Sequence, residues 1–368
     1  SKPAATPSDG GAPIRTVRSN EYPILEVRDL KKHFPIKKGL LRKTVGQVYA
    51  VDGVSFAIAR GETVGLVGES GCGKTTLGRA IIGLVKPVNG RIYYKPSSDE
   101  IVKVLEEEKI PSKEGFYDIT DVSGKTYKML RRELQIIFQD PYGSLNPRMT
   151  IKEILEEPLI IHGIGDTPDE RLEMIVRALR DVKLTPPEEF LNLYPIQLSG
   201  GQRQRVNIAR AMILGAKVVV ADEPVSMLDV SIRSEILKLM LDLKDSKGLT
   251  YLFITHDLAV ASVICDYINI MYLGRIVEQG PAERVIKNPA HPYTQALLIA
   301  VPQPDPKGRW IIKDVPIKGE VPSAINIPPG CRFHPRCLYA MEKCSREDPS
   351  FFEVEPGHYS ACWLHEKK

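Results

Sequence analysis

The chain has 368 residues, 43% of them hydrophobic and 26% charged, a globular composition in a length that calls for about two domains. Its 50 basic residues are nearly balanced by 46 acidic ones, so the net charge of +4 gives no reason to expect a nucleic-acid partner. No run reaches the ~18 apolar residues of a membrane span. The nearest, Ala259 to Leu273, is interrupted by Asp266 and Asn269, and Ser1-Lys2-Pro3-Ala4-Ala5 lacks the apolar centre of a signal peptide. The expectation is a cytosolic chain whose membrane part, if any, other chains supply.

Residues 1–20, rich in Pro, Gly, Ser and Ala without an apolar period, are expected to form a flexible tail. Ile24 to Leu30 alternates as a strand does, and the basic, glycine-containing segment Lys37 to Gly46 reads as a loop before a second strand, Val48 to Ile58. Thr63 to Val67 is a short apolar run of the buried-strand kind. It leads into Gly68-Glu69-Ser70-Gly71-Cys72-Gly73-Lys74-Thr75, a complete phosphate-loop pattern, after which Thr76 to Leu84 continues as an apolar helix. Glycines let such a loop curl its N–H groups toward phosphate, and the start of the helix adds positive potential. Lys74 is expected on the phosphates and the Thr75 hydroxyl on Mg²⁺.

From Tyr94 to about Lys128 the pattern is polar and rich in Lys and Glu, and reads as a surface insertion. Gln139 follows the apolar strand ending Ile136-Ile137-Phe138 and can reach toward metal and water, although a lone glutamine is more often structural. Residues 150–190 are helical by spacing, with Ile151, Ile154, Leu155 and Leu159 on one face. Leu198-Ser199-Gly200-Gly201-Gln202 then opens a helix running to Leu214, and Ser199 with the glycine N–H groups makes a second anion site at a helix start. Val218 to Val220 is a buried strand ending in Asp222-Glu223. Asp222 is placed for a magnesium shell and Glu223 to polarise an attacking water. Strand and helix alternate again through Tyr251-Leu252-Phe253-Ile254 to His256, which could contact a γ-phosphate, and this is the logic of a parallel α/β sheet.

Past about Ala282 the sequence turns Pro-rich and holds Cys331, Cys337, Cys344 and Cys362, with five, six and seventeen intervening residues. Four thiols in a segment of little apolar content point to a metal staple. The short Cys spacing usual for zinc is absent, so an iron–sulfur cluster is the favoured reading, with disulfides, free thiols and zinc as alternatives. Cys72 and Cys265, the latter in an apolar helix, read as small buried residues.

The order phosphate loop, Gln139, LSGGQ, Asp222-Glu223, Ser226-Met227-Leu228-Asp229 and His256 resembles the ABC-transporter ATPase cassette over residues 24–285. Phe138 to Pro147, His291-Pro292-Tyr293 and the cysteine tail narrow the resemblance to the ATPases of oligopeptide/dipeptide importers. The fold implied is α/β: a P-loop ABC cassette with a RecA-like parallel core, an antiparallel β subdomain and a helical subdomain at about 140–210, plus a small irregular C-terminal extension. The boundaries expected are a tail at 1–20, a cassette at 21–285 and an extension at 286–368.

The resemblance also implies roles. Gln139 becomes the Q-loop glutamine and a magnesium contact beside Thr75 and Asp222. Glu223 becomes the base, Asp229 the D-loop aspartate and His256 the switch histidine. An aromatic stacks on adenine, best matched by Phe34 and less well by Tyr49. Met227 departs from the small residue usual in the family. Two cassettes pair head to tail, so that Leu198 to Gln202 covers the ATP of a second, related cassette, and Tyr142 to Met149 faces a permease. The implied assembly has two permeases and an extracellular binding protein, sits on the cytoplasmic face of the membrane, and imports peptides or, in related systems, oligosaccharides. Some members hold a four-iron cluster on such cysteines. The alternatives are a soluble ABC ATPase of translation or DNA repair, and an iron–sulfur enzyme that uses ATP.

Overall fold

The computed structural model describes residues 13, 23–38, 43–299, 317–320 and 322–366; apart from Pro13, the expected N-terminal tail lies outside them. In chain order the elements are β1 (Pro23–Lys38), β2 (Lys43–Ala59), β3 (Thr63–Val67), α1 (Lys74–Ile81), β4 (Asn89–Tyr94), α2 (Asp99–Glu107), β5 (Ser112–Lys113), β6 (Phe116–Asp118), α3 (Gly124–Leu130) and β7 (Leu134–Ile137). They continue with α4 (Ile151–His162), α5 (Pro168–Asp181), α6 (Glu188–Leu191), α7 (Gly200–Met212), β8 (Val218–Asp222), α8 (Val230–Lys247), β9 (Thr250–Thr255), α9 (Leu258–Ile264), β10 (Tyr267–Tyr272) and β11 (Arg275–Pro281). The chain closes with α10 (Ala282–Lys287), α11 (Pro292–Ile299), β12 (Phe352–Glu355) and β13 (His358–Ser360). The first two strands run further than the sequence pattern indicates, because the basic segment is extended up to Lys38 and again from Lys43.

The described chain divides into two compact units, the first made of residues up to 58, 64–93 and 255 onward, the second of residues 59–63 and 94–254. In the first unit, β3 pairs in parallel with β10, β11 pairs antiparallel with β10, and β13 pairs antiparallel with β11. Every residue of β3 and β10 is buried, as expected of strands covered on both faces. Gly65 lies against Cys265, whose sulfur would stand 2.8 Å from a β-carbon there. Cys265 is buried, as the sequence indicates, but it is the C-terminal cap of α9 and not part of it.

In the second unit, β7, β8 and β9 pair in parallel. Helices α4, α5 and α7 pack on one another, and α4 and α5 each begin with a reciprocal cap, Thr150 with Glu153 and Thr167 with Glu170. The segment Tyr94 to Lys128 is more than a polar surface insertion. It forms α2, a β5–β6 hairpin and α3, and buries Ile101, Val104, Leu105, Tyr117 and Ile119. The Tyr94 hydroxyl donates to the Glu133 carboxylate at 2.7 Å, and burial together with that carboxylate pushes the Tyr94 phenol well above its ordinary range.

The C-terminal residues contribute to the first unit's sheet. The β12–β13 hairpin pairs with β11, placing Ser360 opposite Glu278. Glu278 is fully buried, and its carboxylate accepts from the Ala290 and His291 N–H groups at 2.8 Å and the Thr294 hydroxyl at 2.5 Å, with His358 Nε2 at 2.7 Å. One carboxylate thus joins β11, the start of α11 and the terminal hairpin. Burying a charge is tolerable only when it is saturated in this way. Glu278→Ala, which leaves these partners unpaired in the interior, should cost about 3–5 kcal/mol. The urea midpoint of unfolding should fall accordingly, and an unchanged midpoint would contradict this account of the extension.

Candidate functional site

The phosphate loop lies between β3 and α1 in the first unit. Gly71 and Gly73 adopt φ of 79° and 108°, a region that L side chains rarely enter. Gly73 caps α1, and Leu77 N–H donates to its carbonyl at 2.9 Å. The Lys74 ammonium is buried and donates to the Gly68 and Glu69 carbonyls at 2.7 and 2.9 Å, so the side chain expected on phosphate also closes the curl of the loop. Gly274 N–H donates to the Cys72 carbonyl at 2.9 Å. Cys72 is buried and its thiol is pushed up by burial, the inert character expected of it. Ser70 is exposed, while Thr75 and Thr76 are half-buried in the first turn of α1.

Two contacts on this loop are absent from the sequence reading. Glu69 N–H donates to the Tyr293 hydroxyl at 2.8 Å, and the Glu69 carboxylate receives both terminal nitrogens of Arg336, at 2.7 and 3.1 Å. Tyr293 belongs to the His-Pro-Tyr segment that the sequence reading singles out without assigning it a task. Arg336 lies between two of the tail cysteines and gives no local signal.

Among the aromatic candidates, Phe34 keeps its ring exposed on β1 with the Lys32 ammonium 5.0 Å from its centroid. Tyr49 is instead packed edge-on against His33 at 4.5 Å. His256 is exposed at the end of β9, just before Asp257 caps α9 through the Ala259 N–H at 2.8 Å.

In the second unit, Asp222 is buried at the end of β8, and Glu223 follows with φ of 47°. A long side chain in the left-handed region is costly and persists where surroundings enforce it, here two hydrogen bonds from Ser226 to the Glu223 carbonyl. The Gln139 amide donates to the Glu223 carboxylate at 3.3 Å, bringing together two residues that lie 84 positions apart. Met227 is exposed, and Asp229 caps α8 by backbone geometry alone.

The signature segment lies in the same unit. Leu198 is buried, and Ser199 and Gln202 form a reciprocal cap: Gln202 N–H donates to the Ser199 hydroxyl at 3.2 Å and Ser199 N–H to the Gln202 side chain at 2.9 Å. A β-carbon on Gly201 would lie 2.7 Å from Ile232, whereas Gly200 has room. Farther along α7, the Ser144 hydroxyl donates to Asn207 at 2.9 Å and Arg210 donates to the Ser144 carbonyl at 2.6 Å. The Arg203 guanidinium stacks 3.9 Å from the Tyr142 ring centroid. The signature helix therefore holds the Tyr142-to-Met149 segment directly.

All six cysteines are free thiols. Cys331, Cys337, Cys344 and Cys362 line one cavity with Phe333, Met341 and Trp363. Burial pushes Cys331 up to about 12 and Cys362 up to about 11, while backbone N–H groups of Phe333 and Leu364 bond to the two sulfurs and oppose the shift. Among the described residues, no group of three or more His, Cys, Asp or Glu stands at metal-holding spacing.

Residues 51–226 match the ABC transporter family, and residues 277–344 match the oligopeptide/dipeptide transporter C-terminal region. The oligopeptide transport ATP-binding protein AppF of Bacillus subtilis is 45% identical over 94% of this chain and 99% of its own. The chain belongs to the ABC transporter ATP-binding proteins. The dipeptide transport ATP-binding protein DppF of Haemophilus influenzae is likewise 45% identical, over 93% of this chain and 96% of its own. Among solved structures, the dimeric cassette MJ0796 matches with a TM-score of 0.57 and 28% identity, covering 70% of this chain and 99% of that one. A post-hydrolysis form of MJ0796 bound to ADP and Pi matches equally, at 29% identity. The chain is thus an ATPase of this family, an ABC cassette in fold and the ATP-hydrolysing subunit of an importer. Among the described residues, no helix is long and apolar enough to cross a membrane.

The loop geometry yields a direct test. A β-carbon on Gly73 would fall 1.8 Å from the Ala50 carbonyl oxygen, at a φ that itself costs about 1–3 kcal/mol for other residues. Gly73→Ala should abolish ATP binding in equilibrium titration, and retained affinity would show that the loop does not depend on this close approach.

Proposed function

We propose that this chain drives peptide import by hydrolysing ATP on the cytoplasmic face of a membrane, with residues 21–285 as the cassette and 286–368 as an extension. Its partners in this reading are a second, related cassette, two permeases and an extracellular binding protein. Peptides are favoured because the relatives are named for oligopeptide and dipeptide transport, and no observation favours oligosaccharides. The observation that carries the catalytic assignment is the Glu223 carboxylate, held beside the Gln139 amide on a strained backbone at the end of a buried strand.

In this reading the N–H groups from Glu69 to Thr76 and the Lys74 ammonium hold the β- and γ-phosphates, and Phe34 stacks on adenine. Thr75, Gln139 and Asp222 supply oxygens for Mg²⁺, which neutralises phosphate charge when bound. Glu223 takes the proton of the attacking water, and His256 contacts the γ-phosphate. A backbone strained at Glu223 fixes the carboxylate direction before substrate arrives, which suits a base that must be aligned rather than merely near.

Ser199, Gly200, Gly201 and Gln202, with Leu198 buried behind them, serve the ATP of the partner cassette, and Asp229 faces that partner. The MJ0796 cassette is described as a dimer. Tyr142, Ile160, Ile161 and Ile196 are exposed apolar side chains of the second unit and suit a permease surface. Because α7 carries both the signature and the ties to Ser144 and Tyr142, closure on nucleotide would be transmitted to that surface.

The four tail cysteines are proposed to hold an iron–sulfur cluster on the strength of their shared cavity, which requires the sulfurs to draw closer together than the spacing described above.

Glu223→Gln should retain nucleotide affinity and lose hydrolysis by about 10²-fold or more, as expected for an essential general base. Phosphate release near the wild-type rate would reject Glu223 as that base. Protein purified without oxygen should contain iron and acid-labile sulfide in equal amounts. Colourless protein carrying zinc would rule out the cluster while leaving the ATPase assignment untouched.

A further inference from the structure

The segment Cys331-Arg332-Phe333-His334-Pro335-Arg336-Cys337 turns Arg332, Phe333 and Arg336 into the first unit. Phe333 is 1% exposed and packs against Tyr272, Tyr293 and His291, with centroids 5.3, 5.5 and 5.6 Å away. Arg332 reaches Asp52 and the Leu273 carbonyl. Arg336 forks the Glu69 carboxylate while lying 5.8 Å from the Tyr272 ring centroid. Its side chain is 7% exposed and that of Glu69 28% exposed, so this pair is more shielded than a surface salt bridge.

The chemistry of this pair is specific to where it lies. Glu69 is part of the loop that would receive a triphosphate of about four negative charges, and an uncompensated carboxylate there would oppose binding. Burial disfavours the Arg336 cation, and its interactions with the Glu69 carboxylate and with Tyr272 together more than offset this. Arg336 is itself positioned by the cysteine segment. The Arg336 N–H donates to the Phe333 carbonyl at 2.9 Å, the Lys318 N–H donates to the Arg336 carbonyl at 2.8 Å, and Cys331 and Cys337 flank the turn.

We infer that Arg336 is a positioning and charge-compensating residue of the ATP site, through which the cysteine-bearing extension sets the affinity of the phosphate loop for nucleotide. Tyr293 assists by taking the Glu69 N–H. The inference rests on the reading that the loop binds ATP, and it gives the extension a task in the nucleotide cycle.

The test is equilibrium binding of ATP–Mg²⁺ to the full chain, followed by calorimetry at low and high salt with thermal unfolding as a check on the fold. Arg336→Gln should weaken binding about tenfold, since one unpaired charge at this position suffices for that ratio. The defect should shrink at high salt. Glu69→Gln combined with Arg336→Gln should recover most of the loss, because the carboxylate that needed cancelling is gone. A purely structural Arg336 would show no such recovery.

Equal affinity of Arg336→Gln and wild type overturns the inference, as does a double variant no better than Arg336→Gln. Should Arg336→Gln fail to fold, Arg336→Lys carries the test. It keeps the charge and should stay within about threefold of wild type, and a tenfold loss there would overturn the charge account. Lys74→Ala separates the two claims. If wild type and Lys74→Ala bind alike, the loop assignment fails and this inference with it. If only Lys74→Ala loses binding and Arg336→Gln does not, the inference alone fails.

Discussion

A loop that grips a triphosphate through its backbone must keep several N–H groups pointing inward against the freedom of its own glycines. In this protein the restraint comes from three directions. Lys74 ties the curl from inside, donating to the Gly68 and Glu69 carbonyls. Gly274 holds the Cys72 carbonyl from the turn after β10. Tyr293 and Arg336 hold Glu69 from the C-terminal extension. The glycines at 71 and 73 make the curl possible, and these contacts keep it in one form.

That restraint explains why the extension is woven into the first unit. Glu278, on β11, gathers hydrogen bonds from the His-Pro-Tyr segment and from the terminal hairpin, so the three elements form around one buried carboxylate. His291, in the same cluster, is lowered to about 4 by burial, which keeps it neutral and suited to the aromatic packing around Phe333. Tyr293, two residues along, then has a fixed place from which to take the Glu69 N–H. In the second unit the analogous economy is α7, whose first turn is the signature and whose later turns hold Ser144 and Tyr142.

What was legible in the sequence follows from how local each signal is. The phosphate loop, the signature and Asp222-Glu223 are contiguous patterns whose chemistry needs neighbouring residues, and their elements form where the pattern places them. The strand at Glu223 carries no mark of its φ of 47°, because backbone strain is imposed by surroundings such as Ser226. The fork between Arg336 and Glu69 joins residues 267 positions apart and leaves no periodic trace. The segment Tyr94 to Lys128 was obscured by its charge. Its apolar residues Ile101, Val104 and Leu105 do recur at helix spacing, and the lysines and glutamates between them occupy the outer face of α2.

The central claim is that the phosphate loop is held in its binding form before nucleotide arrives, by contacts that include the C-terminal extension. Hydrogen exchange of the Glu69 amide, which donates to the Tyr293 hydroxyl, tests this most directly in nucleotide-free protein. The account predicts that this amide is protected in the wild-type chain and loses its protection when Glu278 is replaced by alanine. Rapid exchange of the Glu69 amide in wild-type protein, or protection indifferent to Glu278, would contradict it.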